Sequence, residues 1–213
     1  MQQVAREAVG EKGLRAALID AAARLIATEG PSALTLRRVA SEVGTSTMAI
    51  YTHFGGMPEL RRAVRHEGFA RLADQLRRVT ATDDPVADLW MLGRAYYANA
   101  VADTDLYRVA FMEQALDATD VAVGSEAFKM LVSGFERCIA AGRFDEADAT
   151  ALATEFWAIG HGVVALEIAQ LLSPVEARAC LDGAVLRSFE SYGDARDAAE
   201  RSRRRAERRA PSA

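Results

Sequence analysis

The chain has 213 residues, of which 50% are hydrophobic and 26% charged, so it can bury a core and is not disordered overall. No apolar run approaches the roughly 20 residues that a membrane span needs, and the N-terminus lacks the apolar centre of a signal peptide. The two cysteines, Cys138 and Cys180, lie too far apart in the sequence for a CxxC metal or redox site. Because there are only two, a framework of disulfides cannot be the basis of the fold. These features predict a soluble cytoplasmic protein.

The net charge of −4 is divided unevenly along the chain. Residues 1–80 carry twelve Arg and Lys against eight Asp and Glu, whereas residues 81–195 carry seven against nineteen. Residues 196–213 are basic again, with seven Arg and three acidic residues. A basic head on an acidic body suggests that the head meets an anion, although ordinary surface patterning would give the same distribution.

Apolar residues recur at helical spacing through most of the chain. The stripe from Leu14 to Ile26 advances in steps of three and four, which predicts an amphipathic helix from about 12 to 28. Similar stripes predict helices over about 57–79, 85–102, 119–141, 145–172 and 174–192, and no strand-like alternation competes with them. The sequence therefore predicts an all-α fold of about nine helices.

The last segment, residues 193–213, is rich in arginine and has a different character. Its stretch from Arg201 to Arg209 contains no large apolar residue, so we expect that it cannot pack against a core. This composition predicts a disordered, solvated tail. Nonspecific attraction to nucleic acid is the alternative interpretation.

The pattern of residues 35–54 predicts a helix-turn-helix within a three-helix domain over residues 12–56. Thr35 can cap a short helix that ends at Val43, Gly44 supplies the backbone freedom for a tight turn, and Ser46 can cap a second helix. The residues expected to face inward are Leu36, Val39, Ala40 and Val43 on the first helix, and Ile50 and Phe54 on the second.

The outward face of the second helix is short, uncharged, and rich in hydroxyls and methyls. Such groups suit a helix in the major groove of DNA, because hydroxyls bond base edges or phosphates and methyls meet thymine. Two arginines on the preceding helix, Arg37 and Arg38, can reach phosphate oxygens. The other members of this candidate DNA-binding set are Thr35, Thr45, Ser46, Thr47, Met48, Ala49, Tyr51, Thr52 and His53. A generic α-hairpin at the edge of a core is the alternative.

Residues 12–75 resemble the DNA-binding domain of the TetR family of bacterial transcriptional regulators. The resemblance is carried by Glu29-Gly30 at the end of the first helix, by Thr35-Leu-Arg-Arg-Val-Ala, by Gly44, and by Ile50-Tyr-Thr-His-Phe54. It implies phosphate contacts for Tyr51 and His53, and base contacts for Thr45, Thr47, Met48 and Ala49. One departure is Met57, where the family usually has a lysine that opens the fourth helix.

The rest of the chain up to about residue 192 also resembles this family, although more loosely. The segment Phe156-Trp-Ala-Ile-Gly-His-Gly162 is similar to the Trp-His-Gly motif of one class of C-terminal domain, and Asp105–Phe111 fits the same class. The resemblance implies a helical regulatory and dimerisation domain over 57–192, with 57–79 as the linking helix. It also implies that the last two long helices form a four-helix dimer interface, with Gly160, Gly162 and Val164 as candidate interface residues. Intrachain packing of the glycines remains the alternative.

Aromatic and apolar side chains in this second domain are candidates for lining a ligand cavity. They are Trp90, Tyr97, Tyr107, Phe111, Phe128, Leu131, Phe135, Trp157 and His161. Signals for enzymes and metal sites are weak: His66-Glu67 opens like a zinc-protease helix, but position 70 is alanine. We expect no catalytic residue, no metal and no cofactor.

These observations predict a DNA-binding transcriptional regulator in the cytoplasm, associated with the nucleoid. We expect a homodimeric repressor that binds a palindromic operator in double-stranded DNA and is released by a small, largely apolar effector. One alternative is a DNA-bound structural or partner-binding protein without a ligand. Another is an all-α enzyme on the same scaffold that has lost DNA binding.

Overall fold

The structure is a computed structural model that describes residues 2–112 and 116–209, with side chains from residue 13 onward. Within these ranges it contains ten α-helices and no strand, so the all-α prediction is confirmed with about one helix more than expected. The helices are α1 (Gln2–Glu29), α2 (Leu36–Val43), α3 (Thr47–Phe54), α4 (Met57–Arg77), α5 (Pro85–Ala102), α6 (Thr104–Phe111), α7 (Ala118–Ala140), α8 (Ala149–Ile168), α9 (Pro174–Ser191) and α10 (Arg196–Arg209).

Capping side chains explain several helix boundaries. Asp148 accepts a hydrogen bond from the backbone N–H of Thr150, so α8 begins at residue 149 rather than at about 145. Ser173 and Glu176 form a reciprocal capping box at the start of α9, and Pro174 occupies its first turn. Helix α1 begins at Gln2 rather than at about 12, so it extends beyond the predicted stripe from Leu14 to Ile26.

The chain forms two compact units, and their boundary lies inside α4. The first unit contains the described residues up to Ala70 and those within Asp103–Gly124, and the second contains Arg71–Ala102 and the described residues from Ser125 onward. The sequence analysis predicted a domain boundary after residue 56. In the structure, α6 and most of α4 group with the helix-turn-helix. The core of the first unit includes Leu18, Ile26, Val39, Ile50, Leu60, Val64, Leu106 and Val109.

A buried ionic cluster joins α4 to α7 within the first unit. The guanidinium of Arg65 donates to the carboxylate of Asp120, whose side chain is 1% exposed. The other carboxylate oxygen of Asp120 lies 2.8 Å from Nε2 of His66. Because the two partners of this carboxylate, Arg65 and His66, project from successive positions of α4, the carboxylate fixes the start of α7 against that helix.

The second unit packs α5, α8, α9 and α10 around an aromatic core. Phe135 and Phe189 are fully buried, and Phe156 stacks on Phe189 with ring centroids 5.8 Å apart. Glycine permits one close approach here: a Cβ at Gly134 would stand only 2.6 Å from the side chain of Leu89. The core therefore depends on large aromatic side chains together with small residues where helices cross.

The prediction of a disordered tail over 193–213 is wrong for the described part of that segment, because residues 196–209 form α10. The helix buries only small residues, Ala199, Ser202 and Ala206, which recur at helical spacing and let it approach α5 and α9 closely. Charged groups complete the attachment, since Arg143 donates to both carboxylate oxygens of buried Asp194 at 2.8 Å. Large apolar residues were therefore not required for docking. The last four residues, 210–213, lie outside the described part.

One helix among the described residues, α8, is long and apolar enough to cross a membrane by length and composition alone. Its mean hydropathy reaches 1.2 over an 18-residue window, of which 33% is buried inside the protein. It packs against α5 and α9. Its two carboxylates are hydrogen-bonded within the unit, Glu155 to Tyr192 and Glu167 to Tyr97. These contacts are typical of a core helix in a globular domain.

Candidate functional site

The helix-turn-helix is built by α2, a tight turn and α3. The hydroxyl oxygen of Thr35 accepts from the backbone N–H of Arg38 at 3.3 Å, which caps α2 as predicted. Gly44 ends that helix in the left-handed conformation at φ 72°, and its N–H reaches the carbonyls of Ala40 and Ser41. Ser46 stands at the N-cap position of α3, but its side chain makes no capping hydrogen bond, contrary to the expected role.

All eleven candidate DNA-binding residues lie on the surface or are half-buried. The inward positions of α3 are occupied by Ile50 and Phe54, which are 0% and 7% exposed. Met48 is 66% exposed and Tyr51 49% exposed, both large fractions for side chains of this size. The exposed members of the set are Thr35, Arg37, Arg38, Ser46, Met48, Tyr51 and Thr52, and the half-buried members are Thr45, Thr47, Ala49 and His53.

Some polar groups of this surface already have partners. Arg38 donates to both carboxylate oxygens of Glu29, at 2.6 and 3.1 Å, and this hydrogen-bonded pairing raises the pKa of its guanidinium above the ordinary value. The hydroxyl of Thr52 donates to the carbonyl of Met48 at 3.0 Å, which leaves only its oxygen lone pairs for DNA. Arg37 is exposed and forms no ion pair within the described ranges, so it is the more available cation.

Met57 opens α4, at the position where the resemblance led us to expect a lysine. Its side chain is half-buried and packs against the hydrophobic core of the first unit. The residue therefore contributes to packing, and the anion-attracting property of this helix end is limited to its backbone N–H groups.

The second unit contains an apolar cavity of about 50 Å³. Its walls come from α4, α5, α7, α8 and α9, and almost all of them are carbon surface. The lining residues are Leu72, Leu76, Trp90, Leu92, Gly93, Arg94, Tyr96, Ala127, Leu131, Phe156, Trp157, Gly160, Leu181, Asp182 and Val185.

Three of the nine residues predicted to line a cavity do so, namely Trp90, Leu131 and Trp157. The remaining second-unit candidates support the wall or the core instead: Phe128 contacts the Trp157 ring at 4.9 Å, and Phe135 is fully buried among other aromatic rings. Tyr97 donates its hydroxyl to Glu167, and burial, reinforced by that carboxylate, raises the pKa of Tyr97 to about 12. Tyr107 and Phe111 belong to α6 of the first unit, where their rings pack together at 5.1 Å.

A chain of hydrogen bonds stiffens one wall of the cavity. The indole N–H of Trp157 donates to Nε2 of His161 at 2.8 Å, one helical turn away. Since Nε2 accepts, the neutral imidazole carries its proton on Nδ1, which donates to the hydroxyl oxygen of Tyr96 at 2.8 Å. Burial lowers the pKa of His161 to about 4, so the ring is neutral at physiological pH. This histidine is a packed structural residue rather than a free ligand contact.

The structure also adds lining residues that the sequence analysis missed, above all Tyr96, Arg94 and Asp182. Arg94 and Tyr96 lie two residues apart on α5, and Asp182 lies on α9. Tyr96 could have been chosen from the sequence, because it is aromatic and adjacent to Tyr97. However, helical periodicity does not show which of two adjacent tyrosines faces the cavity. Nothing in the sequence marks the two charged residues.

The three candidate interface residues of α8 are placed differently from one another. Val164 is fully buried, and Gly160 is buried against Tyr96, whose ring would stand 3.2 Å from an added Cβ. Gly162 is exposed, with nothing within 4 Å of such a Cβ. Intrachain packing thus accounts for Gly160 and Val164, and only Gly162 is free for contact with another molecule. No group of three potential metal ligands occurs in the described part of the chain.

A helix-turn-helix with an exposed, uncharged second helix, joined to a separate helical unit with an apolar cavity, defines a DNA-binding transcriptional regulator. The family model for bacterial regulatory proteins of the tetR family matches residues 18–64, and a model for a tetracyclin repressor-like C-terminal domain matches residues 89–189. The chain is 30% identical over 190 residues to the uncharacterized HTH-type transcriptional regulator Rv0681 of Mycobacterium tuberculosis, which covers 88% of this chain and 84% of that protein. The chain belongs to the TetR family.

Solved structures share this fold. A protein of unknown function from Rhodococcus sp. RHA1 is similar with a TM-score of 0.75 and 25% identity, over 85% of this chain and 96% of that one. RolR in complex with resorcinol is similar with a TM-score of 0.66 and 19% identity, over 96% of this chain and 98% of that one. The likeness to RolR shows the fold alone. The narrower Trp-His-Gly class of C-terminal domain stays a prediction.

Proposed function

We propose that the protein is a homodimeric repressor that binds a palindromic operator through α3 and releases it when a small, largely apolar effector occupies the second unit. The observation that carries the proposal is the outward face of α3, where Met48 and Tyr51 are exposed and no Asp, Glu, Lys or Arg occurs. Hydration stabilises the exposed apolar groups of such a face only weakly. Its methyls and hydroxyls can instead contact base edges and phosphates in a major groove. We place this activity in the cytoplasm, at the nucleoid.

Dimerisation is supported by the outer face of α8 and the start of α9. Ala158, Gly162 and Leu166 recur at intervals of four residues along α8, and all three are exposed. Leu171 and Val175, which follow, are 70% and 71% exposed. A contiguous uncharged face of small and apolar residues is typical of an interface between two copies of a chain.

An effector is supported by the cavity, which is partly open and is lined mainly by apolar and aromatic side chains. The effector would act by preferring the conformation in which two recognition helices no longer match successive major grooves, about 34–36 Å apart. RolR, a protein of the same fold, has been solved with resorcinol, which also favours a small ligand here. The modest volume of about 50 Å³ is the observation that favours the alternative, a DNA-bound regulator without a ligand.

The test is selection of fragments of the protein's own genome by the purified full-length chain, followed by sequencing. We expect recovery of a palindrome and affinity for it at physiological salt at least about 1,000-fold above that for random DNA. Thr47→Ala should change the preference at particular base pairs, whereas Tyr51→Phe should weaken binding to all sequences. Equal affinity for selected and random DNA would overturn the proposal.

Effector release is tested separately, by a thermal-shift screen of small apolar compounds and an operator-release assay on those that stabilise the protein. A stabilising compound that lowers operator affinity is the expected result. If compounds stabilise the protein but none displaces the operator, the ligand-independent alternative is correct.

A further inference from the structure

One tryptophan at the cavity has an unsatisfied donor. Trp90 is 2% exposed, lines the cavity, and packs its ring edge-to-face against Phe189 with centroids 5.6 Å apart. Its buried indole N–H has no hydrogen-bond partner in the described part of the protein. Trp157, which lines the same cavity, donates its own N–H to His161 at 2.8 Å. A buried donor without an acceptor is unfavourable, so an acceptor delivered to Trp90 would be bound more tightly than a purely apolar group.

The charged residues of the lining are already neutralised. Arg94 donates to Glu207 at 3.1 Å and lies 3.9 Å from Asp182. Asp182 in turn lies 3.8 Å from Arg203 of α10, which also pairs with Glu207. These four side chains form a closed ring of alternating charge beside the cavity. An ionic ligand would have to break this ring, because the rest of the wall is almost entirely carbon and carries no charged side chain, so a neutral ligand is favoured.

The size of the cavity and the rings in its wall favour a ligand with a single ring. A volume of about 50 Å³ exceeds the roughly 10–15 Å³ that a single water requires but is small for a drug-sized molecule. Two glycines form part of the wall, and aromatic rings cover both of them: a Cβ at Gly93 would stand 3.0 Å from Phe156, and one at Gly160 would stand 3.2 Å from Tyr96. Aromatic faces at these positions favour an aromatic ligand.

We propose that the cavity binds a small, neutral, single-ring aromatic molecule with one hydrogen-bond acceptor, and that the acceptor is held by the indole N–H of Trp90. This assignment rests on the proposed function, because it names the class of effector that the regulator senses. Trp90 supplies the polar recognition, and the aromatic walls supply the apolar contact.

The test compares two probes of nearly identical shape, acetophenone and α-methylstyrene, in which a C=CH₂ group replaces the carbonyl. The full-length protein is labelled with ¹⁵N at its tryptophans, and only two indole N–H resonances are expected because the chain has two tryptophans. Trp157→Phe assigns the resonance of Trp90. We expect acetophenone to move the Trp90 indole proton further downfield than α-methylstyrene does, to shift the Trp157 resonance about as much as α-methylstyrene does, and to bind about three- to tenfold more tightly than α-methylstyrene.

Trp90→Phe keeps an aromatic ring against Phe189 but removes the donor and part of the indole volume. The added space is the same for both probes, so the substitution should reduce their affinity ratio to about one. The Trp157 resonance reports whether this variant is folded. If it is not, the shift of the Trp90 resonance in the unmutated protein decides the question. Equal affinities of the unmutated protein for both probes, a preference that survives in Trp90→Phe, or no binding of either probe at millimolar concentration would each overturn the proposal.

The outcome is separable from that of the DNA selection. If the protein selects a specific operator but acetophenone leaves the Trp90 resonance unmoved, the ligand class is wrong and the regulatory function stands. If acetophenone binds as expected but no specific DNA is selected, the cavity assignment stands and the regulatory function is wrong.

Discussion

Helices α3 and α8 carry the two most recognisable sequence patterns of the protein, yet their inward faces were not equally predictable. In α3 only Ile50 and Phe54 are buried, one turn apart, and the other six residues are exposed or half-buried. In α8 the mean hydropathy of 1.2 reflects apolar residues on every side, from buried Val164 to exposed Leu166. Helical periodicity identifies an inward face only where the opposite face is polar.

Helix α10 is the opposite extreme of α8. It has almost no apolar surface, and small residues and charged groups hold it to the second unit. Ser202 donates to Asp84 at 2.9 Å, and Arg143 bridges Asp194, Asp84 and Ser202. A helix can therefore be held in place by ion pairs, hydrogen bonds and the close packing of small residues. A hydrophobic pattern in the sequence reveals none of these interactions.

The largest expected effect comes from breaking this charged attachment. Arg143→Ala leaves the carboxylate of Asp194, whose side chain is 2% exposed, without its bidentate partner, and we expect it to lower the free energy of unfolding by about 3 kcal/mol. Arg77→Ala is the matched control, since it removes an arginine from an exposed pair with Glu126 and should leave stability nearly unchanged. Urea denaturation measures both. Equal effects of the two substitutions would show that α10 is not held in this way.

The second prediction concerns the neutral His161 of α8. Its folded-state pKa of about 4 lies below the ordinary value of 6.5, so the unfolded chain takes up a proton first as pH falls. The stability contributed by this site is therefore complete above pH 6.5 and is lost on acidification towards pH 4, by at most about 3 kcal/mol. His161→Gln should flatten that part of the stability–pH curve measured by denaturation. An unchanged slope would place the imidazole in a solvated site.

The third prediction separates the two faces of α8 with a matched pair of glycine substitutions. Gly160→Leu forces a side chain into the Tyr96 ring and should cost about 1–3 kcal/mol of unfolding free energy. Gly162→Leu meets nothing within 4 Å, so it should not lower the unfolding free energy of the monomer, while it should weaken the proposed dimer. Denaturation and sedimentation velocity distinguish the two effects. Dimer loss in Gly160→Leu alone would contradict this placement of the interface.

The fold was largely predictable from the sequence, because amphipathic stripes and capping residues such as Thr35 and Gly44 act locally. The candidate DNA-binding surface was predictable for the same reason. The cavity was less so: Trp90 and Trp157 were named, but Arg94 and Asp182 were missed. Arg94 and Asp182 lie on different helices and become neighbours only through tertiary packing. The ring of ion pairs that they form cannot be detected from hydrophobic periodicity.

Helix α2 offers the smallest expected effect and the sharpest test of the candidate DNA-binding surface. Arg37 and Arg38 are adjacent and exposed, but Arg38 is held by both carboxylate oxygens of Glu29, whereas Arg37 is not paired in the described part of the chain. A phosphate contact by Arg37 releases a counterion, so Arg37→Ala should reduce the slope of log K against log salt by about 1 per subunit. Arg38→Ala should reduce that slope by less, because Glu29 already neutralises its charge in the free protein.

Fluorescence anisotropy on a selected operator at several salt concentrations measures both slopes, with Tyr51→Phe as the uncharged control that lowers affinity without changing the slope. If Arg38→Ala changes the slope more than Arg37→Ala, then Glu29 releases Arg38 to the DNA, and the ion pair of the free protein does not persist in the complex.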